Sequence, residues 1–368
     1  MSIARHIGFG FDLVKAHITD KNVPFLVQFS ITNRCNLKCL YCYADYPDRP
    51  EKDLSYEQIT NIIDQLADLG TRRINIVGGE PLIRKDIGDI VAHIKKRGLE
   101  CTMTTNGFFV PYKVEVVKQL DLLCISLDGK KEGNDLQRGQ GVHDKVIKAL
   151  ETATAEGVIC QISCVLTKAT MDSVDYMVEL GKRFNAKVAF TTLIKPVEGT
   201  TSYDNLIPTD DECRNALRRI IQLKEGGAPI LFSYDTLKHA LHWPKSYSED
   251  RMFEEPDFDY PECYAGRFFL IIDVNGDVYR CPQMVDRAKK INCMEHGVKK
   301  ALQILAEDKA CKTCHIPCSN ELSSYFGMKP NVIFNYITTY TSKVKANKDS
   351  FVGNKTPAVQ EPTIQATQ

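Results

Sequence analysis

The sequence predicts an α/β protein built mainly from repeated β/α units. Short apolar runs with a period of two alternate with segments of helical period, and the order strand then helix occurs six times. Consecutive β/α units imply a parallel sheet with helices outside it, and right-handed crossovers curl such a sheet into a barrel or an open barrel. A change of rhythm near residue 228 indicates a smaller C-terminal part.

Six segments are predicted strands because each is an apolar or alternating run bounded by polar or turn residues. They are 25–31, 73–78, 100–105, 122–127, 160–166 and 187–193. Six helical segments follow them, at 55–69, 86–97, 112–119, 143–156, 171–184 and 209–225. Typical capping residues support these bounds, with Ser55 before one helix and Gly98 after another.

The chain after residue 227 predicts a linker and a small cysteine-rich extension. Residues 228–262 include a stretch rich in proline and acidic residues. The segment "FFLIIDVNGDVYRC" predicts a β-hairpin, and its Asn275-Gly276 pair is typical of a type I′ turn. We therefore expect an N-terminal helical segment, a barrel, a linker, a cysteine-rich domain, a C-terminal helix and a disordered tail, at 1–22, 23–227, 228–262, 263–330, 331–350 and 351–368.

The composition excludes several classes of protein. The 368 residues include 47 basic and 47 acidic ones, so no global field attracts nucleic acid or an anionic membrane. Charged residues interrupt the apolar N-terminus as they do not in a signal peptide, and no stretch is long and apolar enough to span a bilayer. We expect a cytoplasmic protein with no nucleic-acid partner and no membrane association. Its fourteen cysteines are then metal ligands or packed hydrophobes rather than disulfide partners.

Three cysteines, Cys35, Cys39 and Cys42, lie directly after the first predicted strand in the spacing C-x3-C-x2-C. Thiolates select zinc, iron-sulfur clusters or copper(I). Structural zinc needs four ligands, and no fourth Cys or His lies close by in the sequence. A [4Fe-4S] cube held by three cysteines leaves one iron with an open position for a substrate.

This triplet, with Tyr41 just before its third cysteine, resembles the radical S-adenosylmethionine (radical SAM) superfamily. The resemblance implies a partial (β/α)6 TIM-like barrel and a [4Fe-4S] cluster on Cys35, Cys39 and Cys42 whose open iron binds S-adenosylmethionine. It also implies one-electron cleavage of that cofactor to a 5′-deoxyadenosyl radical, which abstracts hydrogen from a substrate. A one-electron reductant such as flavodoxin or ferredoxin is the implied partner.

The stretch "GGEP" is similar to the family segment that meets the cofactor's methionine amino group; it comprises Gly78, Gly79, Glu80 and Pro81. Glycines allow close backbone approach to a ligand, and the Glu80 carboxylate is expected to accept from the ammonium. From the residues alone, the two glycines also fit a tight strand-to-helix turn.

Two later motifs extend the resemblance. Ser126 and Asp128 match positions that contact the cofactor's ribose or carboxylate. Arg138 resembles the arginine of an H-D-x-x-R-G stretch that pairs with the cofactor's carboxylate, and Asn134 stands where that stretch has its histidine. Without the resemblance, Asp128 fits a turn or cap and Arg138 a solvated loop charge.

A second group of cysteines follows residue 262. The spacing C-x12-G-x4-C, which ends at Cys281, resembles the opening of the SPASM and twitch extensions that hold auxiliary iron-sulfur clusters. A full SPASM domain has seven cysteines and this stretch has six, so one auxiliary [4Fe-4S] cluster is expected rather than two. The preferred ligands are Cys263, Cys281, Cys311 and Cys314, with Cys318 and then Cys293 as replacements. A zinc ribbon remains an alternative, and His315 is expected at the surface.

The other cysteines fall in strand or helix patterns and are expected to pack as small hydrophobes; they are Cys101, Cys124, Cys160, Cys164 and Cys213. Substrate contacts are expected at strand ends, from Thr105, Asn106, Thr192 and Lys195. The apolar faces near the two termini are expected to pack on the barrel, or else to meet a lipid or macrocyclic substrate.

The expected function is an oxidative or bond-forming modification of a cofactor precursor, small molecule or peptide, because an auxiliary cluster can accept the electron that remains after hydrogen abstraction. Only 34 residues precede Cys35, too few for the peptide-recognition domain of many peptide maturases. A ribosomal-peptide maturase is therefore the alternative. An electron-transfer iron-sulfur protein and a zinc-organised scaffold are alternatives of other classes.

Overall fold

The structure, a computed structural model, describes residues 3–42, 44, 49–194, 204–285, 287–288, 290–307 and 311–341. After helix α1 (Ile3–Ile18) come six strands: β1 (Leu26–Ser30), β2 (Arg73–Val77), β3 (Glu100–Thr105), β4 (Leu122–Ser126), β5 (Cys160–Leu166) and β6 (Lys187–Thr192). They pair in parallel in the order β6-β5-β4-β3-β2-β1. The predicted strands are confirmed, each to within one residue at either end.

Helices connect these strands in the right order for β/α units. They are α2 (Tyr56–Asp68), α3 (Ile87–Lys96), α4 (Val114–Val117), α5 (Lys131–Arg138), α6 (Val142–Ala155) and α7 (Val174–Arg183), and α8 (Asp210–Glu225) follows β6. In α2, Ser55 and Gln58 form a capping box. Its buried face is made of isoleucines and a leucine at helical spacing: Ile59, Ile62, Ile63 and Leu66. Each such side chain stabilises the fold by about 1.5–3 kcal/mol.

The strands alternate between a helix-facing side and an interior side. In β5, Cys160, Ile162, Cys164 and Leu166 are buried, whereas Gln161 and Ser163 are half-buried. The expected packing role is confirmed for Cys101, Cys160, Cys164 and Cys213, which are all buried. Cys124 differs, since it lies on the interior side of β4, is half-buried, and accepts from Gln161 Nε2 at 3.7 Å.

The segment predicted as a linker, 228–262, is a packed part of the molecule. Ile230 forms a parallel bridge with Val188 of β6, and helix α9 (Tyr234–Leu241) follows it. Strand β7 (Arg251–Met252) pairs with a later strand of the cysteine-rich part. The proline-rich and acidic composition therefore marks turns between short elements rather than a connection between domains.

The cysteine-rich part extends the main sheet. Strand β8 (Phe269–Ile272) pairs in parallel with β1, and β9 (Val278–Tyr279) pairs antiparallel with β8, so the complete order is β6-β5-β4-β3-β2-β1-β8-β9. The sheet is an open barrel, with β6 and β9 at its edges. The hairpin is confirmed, but its type I′ turn is wrong: Gly276 donates to the Asp273 carbonyl at 2.9 Å, and only Gly276 of the Asn-Gly pair has positive φ.

Short helices and one strand complete the described chain: α10 (Cys293–His296), α11 (Val298–Glu307), β10 (Thr313–Cys314), α12 (Pro317–Phe326) and α13 (Pro330–Thr341). β10 is the partner of β7. The buried side of α1, which includes Leu13 and Ala16, packs on an aromatic group with Phe25, Phe268 and Phe326. This group lies at the amino ends of β1 and β8. The predicted tail, 351–368, lies outside the described residues, and no described helix is long and apolar enough to cross a membrane.

Candidate active site

The cysteine loop, residues 31–42, follows β1 at the carboxyl end of the sheet. Cys35, Cys39 and Cys42 are half-buried free thiols. Leu37 N donates to Cys35 Sγ at 3.4 Å, and Cys42 N donates to the Cys39 carbonyl at 3.1 Å. Burial raises the pKa of Cys35 to about 12, and the charges of Glu80, Cys39 and Cys42 contribute to this rise, whereas the hydrogen bond from Leu37 N opposes it. Burial therefore disfavours the thiolate form of Cys35, and a metal centre bound by the loop would favour it.

The main chain of the glycine stretch after β2 packs against the cysteine loop and hydrogen-bonds to it. Gly79 N donates to the Thr32 carbonyl and Glu80 N to the Arg34 carbonyl, both at 2.8 Å. A Cβ atom on Gly78 would lie 2.6 Å from Thr32 O, and one on Gly79 would lie 2.4 Å from Arg34 O. Glycine is required here because the cysteine loop's backbone lies against this stretch.

The Glu80 carboxylate is hydrogen-bonded by donors of the protein itself, and its contact with the cofactor's ammonium stays a prediction. The side chain is fully buried and accepts from Leu82 N at 3.0 Å, from Asn106 N at 2.8 Å and from Thr105 Oγ1 at 2.9 Å. Burial raises its pKa to about 7 although these hydrogen bonds oppose the shift. The carboxylate instead ties the turn after β2 to the end of β3. Pro81 begins the buried 3₁₀ turn Pro81–Ile83 and is likewise structural.

Asp128 and Arg138 pair with each other rather than facing an open site. Arg138 Nε and Nη2 donate to the two Asp128 oxygens at 2.6 and 3.1 Å, and Gln137 Nε2 and the Tyr41 hydroxyl donate to the same carboxylate. Both charged side chains are buried. The oxygens of Asp128 are occupied by donors of the protein itself, and the contact of Asp128 with the cofactor stays a prediction. Asn134, at the histidine position, is buried and accepts from Asp128 N at 3.2 Å.

This network also holds the cysteine loop. Tyr41 immediately precedes Cys42, and its ring lies 5.4 Å from the Arg138 guanidinium carbon. Leu40 N donates to the Gln137 carbonyl at 2.9 Å, which adds a main-chain tie between the loop and α5. The positive charge of Arg138 lowers the pKa of Cys39 against the larger effect of burial, which raises it. Gln137 was not predicted, because nothing in its local sequence distinguishes it from a surface residue.

The strand-end residues have mixed roles. Asn106 Nδ2 lies 3.9 Å from Cys35 Sγ and donates to Asn36 Oδ1 at 2.9 Å, so it borders the cysteine loop, and its contact with a substrate stays a prediction. Thr105 is committed to Glu80, and Thr192 pairs with a later histidine. Ser126 is half-buried on the interior side beside Ser163. Lys195 lies outside the described residues.

The interior of the open barrel is lined by uncharged polar side chains that no local motif reveals. Half-buried interior positions on adjacent strands carry amides and hydroxyls: Gln28, Asn75, Thr104, Ser126, Gln161 and Ser163. Charged residues lie on this side only at the amino ends of the strands: Arg73, Glu100 and Lys187. In the sequence, the uncharged side chains of this lining are the polar residues that alternate with apolar residues along each strand. Such a lining can hydrogen-bond a substrate without requiring it to be charged.

The second cysteine group surrounds a cavity beside the barrel. Cys263, Cys281, Cys311 and Cys314 line it, with Arg251 and Arg280 among the other lining residues. Burial raises the pKa of Cys311 to about 11 and raises those of Cys281 and Cys314 well above the ordinary thiol value. The hydrogen-bonded β7–β10 pair brings Cys311 and Cys314 to the cavity, and the β8–β9 hairpin brings Cys281.

The two replacement ligands lie elsewhere. Cys318, at the start of α12, does not line the cavity; its thiol interacts with Thr191 of β6 and with Ser319, and burial raises its pKa. Cys293 packs beside Gly276 of the hairpin, where a Cβ on the glycine would lie 3.5 Å from its sulfur. The predicted metal role of Cys318 is therefore not supported by its position.

His315 was expected at the surface, and this is wrong. The ring is fully buried, with Nδ1 2.9 Å from Thr192 Oγ1 and Nε2 3.1 Å from the Tyr247 carbonyl. Trp243 and Tyr247 contact it edge-on at ring-centroid distances of 5.5 and 5.0 Å. Burial lowers its pKa to about 4, so the ring is neutral and joins the end of β6 to the Cys311–Cys314 turn.

The open (β/α) barrel, with a cysteine loop at the carboxyl end of its first strand, defines the class of enzymes that perform radical chemistry from an iron-sulfur centre. The profile of the radical SAM superfamily matches residues 29–181. The mycofactocin maturase MftC of Mycolicibacterium smegmatis is 30% identical over 270 residues, which are 71% of this chain and 65% of that protein. MftC of Mycobacterium ulcerans is 30% identical over 284 residues, 75% of this chain and 73% of that protein.

A solved structure agrees with the fold. Streptococcus suis SuiB bound to S-adenosylmethionine superposes with a TM-score of 0.62 over 80% of this chain and 68% of that one, at 20% identity. This chain belongs to the radical SAM superfamily, whose members use a [4Fe-4S] cluster and S-adenosylmethionine. It spans about 65% of the length of the M. smegmatis relative.

Proposed function

We propose that this radical SAM enzyme oxidatively modifies a peptide or a small cofactor precursor, using one auxiliary [4Fe-4S] cluster on Cys263, Cys281, Cys311 and Cys314. The observation that carries the proposal is the convergence of these four cysteines, from three separate parts of the sequence, on one cavity. Cys35, Cys39 and Cys42 are proposed to hold the cofactor-binding cluster.

The chemistry of the cavity fits an iron-sulfur cluster. Four cysteines are the donor set of a [4Fe-4S] cube, and each must lose its proton to bind iron. Arg251 and Arg280 border the cavity, and the charge of Arg280 lowers the pKa of Cys311 and Cys263 against the effect of burial. Two arginines suit a centre whose thiolate and sulfide ligands make it negative overall.

The residues around the cysteine loop have supporting roles in this proposal. When bound, the loop's cluster supplies the electron that cleaves S-adenosylmethionine. Gly79 and Glu80 hold the loop through their amides, and Tyr41 anchors its far end through Asp128. The Glu80 and Asp128 carboxylates already accept several hydrogen bonds from the protein. We therefore propose that main-chain carbonyls of the glycine stretch accept hydrogen bonds from the cofactor's amino group.

The proposed substrate class follows from the barrel interior and from the curated relatives. The interior offers amides and hydroxyls, which can bind peptide groups or a neutral precursor. The MftC relatives are named as maturases of mycofactocin. An oxidative modification leaves an electron on the substrate after hydrogen abstraction, and the auxiliary cluster is proposed to accept it.

The test is the amount of iron, sulfide and zinc per chain after anaerobic purification. We expect about eight irons in the parent protein and about four in each of two alanine variants, one lacking Cys35, Cys39 and Cys42, the other lacking Cys311 and Cys314. Cys318→Ser is the matched control, since it removes a half-buried thiol outside the cavity and should retain about eight irons. Zinc in place of iron in the parent protein would refute the auxiliary cluster, as would full iron in the second variant.

The electron-accepting role needs a separate measurement. The Cys311→Ala/Cys314→Ala variant should still release 5′-deoxyadenosine, since the cysteine loop is intact, but should form no oxidised product. Unchanged product formation in a variant proven to lack the auxiliary irons would show that the electron leaves by another route.

A further inference from the structure

Arg251 is a half-buried arginine in the wall of the cavity that the second cysteine group surrounds. Its side chain is only 12% exposed, and it lines the cavity together with Cys263, Cys281, Cys311 and Cys314. In the antiparallel β7–β10 pair, Arg251 lies directly opposite Cys314. The pairing of these two short strands therefore fixes the main chain of Arg251 beside a proposed cluster ligand.

Contacts with two segments of the chain fix the direction of the Arg251 side chain. Its Nε and Nη2 atoms donate to the two carboxylate oxygens of Asp250 at 2.7 and 2.8 Å. Its Nη1 atom donates to the Gln283 carbonyl at 3.3 Å and lies 3.0 Å from Met284 Sδ. Because the planar guanidinium is held on more than one side, its charge stays at one place in the cavity wall.

The charges of Arg251 and Asp250 act on the cavity in opposite directions, since both residues line it. Burial raises the pKa of Cys311 to about 11, and the charge of Arg251 lowers this pKa more than the charge of Asp250 raises it. Burial also raises the pKa of Cys281 well above the ordinary thiol value, and the charge of Arg251 opposes that rise. The positive member of the pair therefore has the larger influence on the sulfurs.

We propose that Arg251 raises the reduction potential of the auxiliary cluster and that Asp250 opposes this effect. The proposal rests on the proposed function, because it takes the four cavity cysteines as the ligands of a [4Fe-4S] cube. Reduction adds one negative charge to such a cube. A fixed positive charge beside it stabilises the reduced form more than the oxidised form, and a fixed negative charge does the reverse.

The role of Arg251 in the reaction is that of a positioning residue, because it acts through the cluster and not on the substrate. In the electron-accepting step the substrate radical loses one electron and the oxidised cluster gains it. A higher cluster potential favours this transfer. The ion pair with Asp250 limits how far the potential rises, so the two side chains together set its value.

Redox titrations followed by electron paramagnetic resonance test the proposal. They use the full chain with Cys35, Cys39 and Cys42 replaced by alanine, here called the background chain, in which the auxiliary cluster alone gives a signal. Adding Arg251→Gln should shift the equilibrium roughly tenfold toward the oxidised cluster, a potential about 59 mV lower for this one-electron couple. Arg251→Lys keeps the charge and should stay within roughly threefold of the background chain.

Asp250→Asn is the second variant, and it should shift the equilibrium roughly fivefold toward the reduced cluster, because it removes the opposing charge. Loosened packing around the cavity would instead move the potentials of Arg251→Gln and Asp250→Asn in the same direction. Arg219→Gln is the control, since Arg219 is 45% exposed, pairs with Asp175 and does not line the cavity. Its potential should stay within roughly twofold of the background chain.

The proposal is overturned if neither Arg251→Gln nor Asp250→Asn moves the potential, if both move it in the same direction, or if Arg219→Gln moves it as far. If Arg251→Gln holds no iron, Asp250→Asn decides: a shift toward the reduced cluster supports the proposal, and any other result overturns it. A background chain without iron would refute the auxiliary cluster and this proposal together. About four irons with unmoved potentials would refute this proposal alone.

Discussion

Replacing Asp128 with asparagine is expected to destabilise the barrel substantially. The Asp128 carboxylate is fully buried and accepts hydrogen bonds from Arg138, Gln137 and Tyr41, and from Val165 N at 3.0 Å. Asparagine has nearly the same shape, but it carries no charge and presents an NH2 group where the site needs an acceptor. The variant therefore tests the charge and the acceptor capacity without creating a cavity.

The magnitude follows from the burial of Arg138, whose side chain is only 8% exposed. In the variant this guanidinium stays charged and loses its partner, which costs about 3–5 kcal/mol in a buried pair. Arg138→Met leaves the Asp128 carboxylate unpaired and should cost a similar amount. The double variant removes both charges and should cost only about 1–2 kcal/mol, because neither partner is left uncompensated. The coupling energy, which is the sum of the two single costs minus the cost of the double variant, is then roughly 4–9 kcal/mol.

The assay is urea unfolding of the metal-free protein under reducing conditions, followed by circular dichroism. Asp175→Asn is the control, since its ion pair with Arg219 is exposed and should contribute no more than about 1 kcal/mol. After cluster reconstitution, Asp128→Asn should also hold less iron in the cysteine loop, because Tyr41 loses its anchor. A cost below about 1 kcal/mol would refute the reasoning and leave Asp128 as a cofactor contact alone.

Two further outcomes are expected. Gly79→Ala should lose about four irons, because the new Cβ would lie 2.4 Å from Arg34 O. Gly88→Ala is the control and should keep these irons, because the atom nearest to its Cβ would be a side-chain carbon at 3.5 Å. Equal iron content in the two variants would contradict the steric argument. Burial lowers the pKa of Lys224 to about 8 from 10.5, so between these values only the unfolded chain keeps the proton and stability rises with pH. Unfolding free energies measured across that window should show this rise in the parent protein and not in Lys224→Met; parallel curves would refute it.

The barrel strands were predictable because each carries its own alternation of buried and interior residues, as β5 does in "CQISCVL". The pairing of β8 with β1 was not, because it joins residues more than 240 positions apart and no local pattern encodes it. The same pairing explains why 263–330 is not a separate lobe. Helix α9 was missed because its few apolar residues contact parts of the chain that local periodicity does not reveal, and the prolines and acids after it suggested a linker.

Within the site, the grouping of the three cysteines proposed as ligands was predictable because they share one short motif after β1. The roles of the carboxylates were not. Glu80 accepts from donors about 25 residues away, and Asp128 accepts from an amide 37 residues away, so the burial of these carboxylates depends on contacts between elements that are distant in the sequence. His315 was misplaced for the same reason, since its partners Thr192 and Tyr247 come from distant elements. The hydrogen bonds of Glu80 and Asp128 therefore position the turns around the cysteine loop, a role that their motifs did not predict.

The hairpin between the two cysteine sites bears on the proposed electron route. Cys42 packs in a hydrophobic group with Tyr279 and Met284, and Met284 also lines the cavity of the second cysteine group. Cys281 follows Tyr279 by two residues. Because electron transfer slows steeply with distance, a side chain shared by the surroundings of both cysteine groups supports acceptance of the substrate's electron by the proposed auxiliary cluster. The pairing of β8 with β1 would keep that separation constant during turnover, which a flexible linker between domains would not.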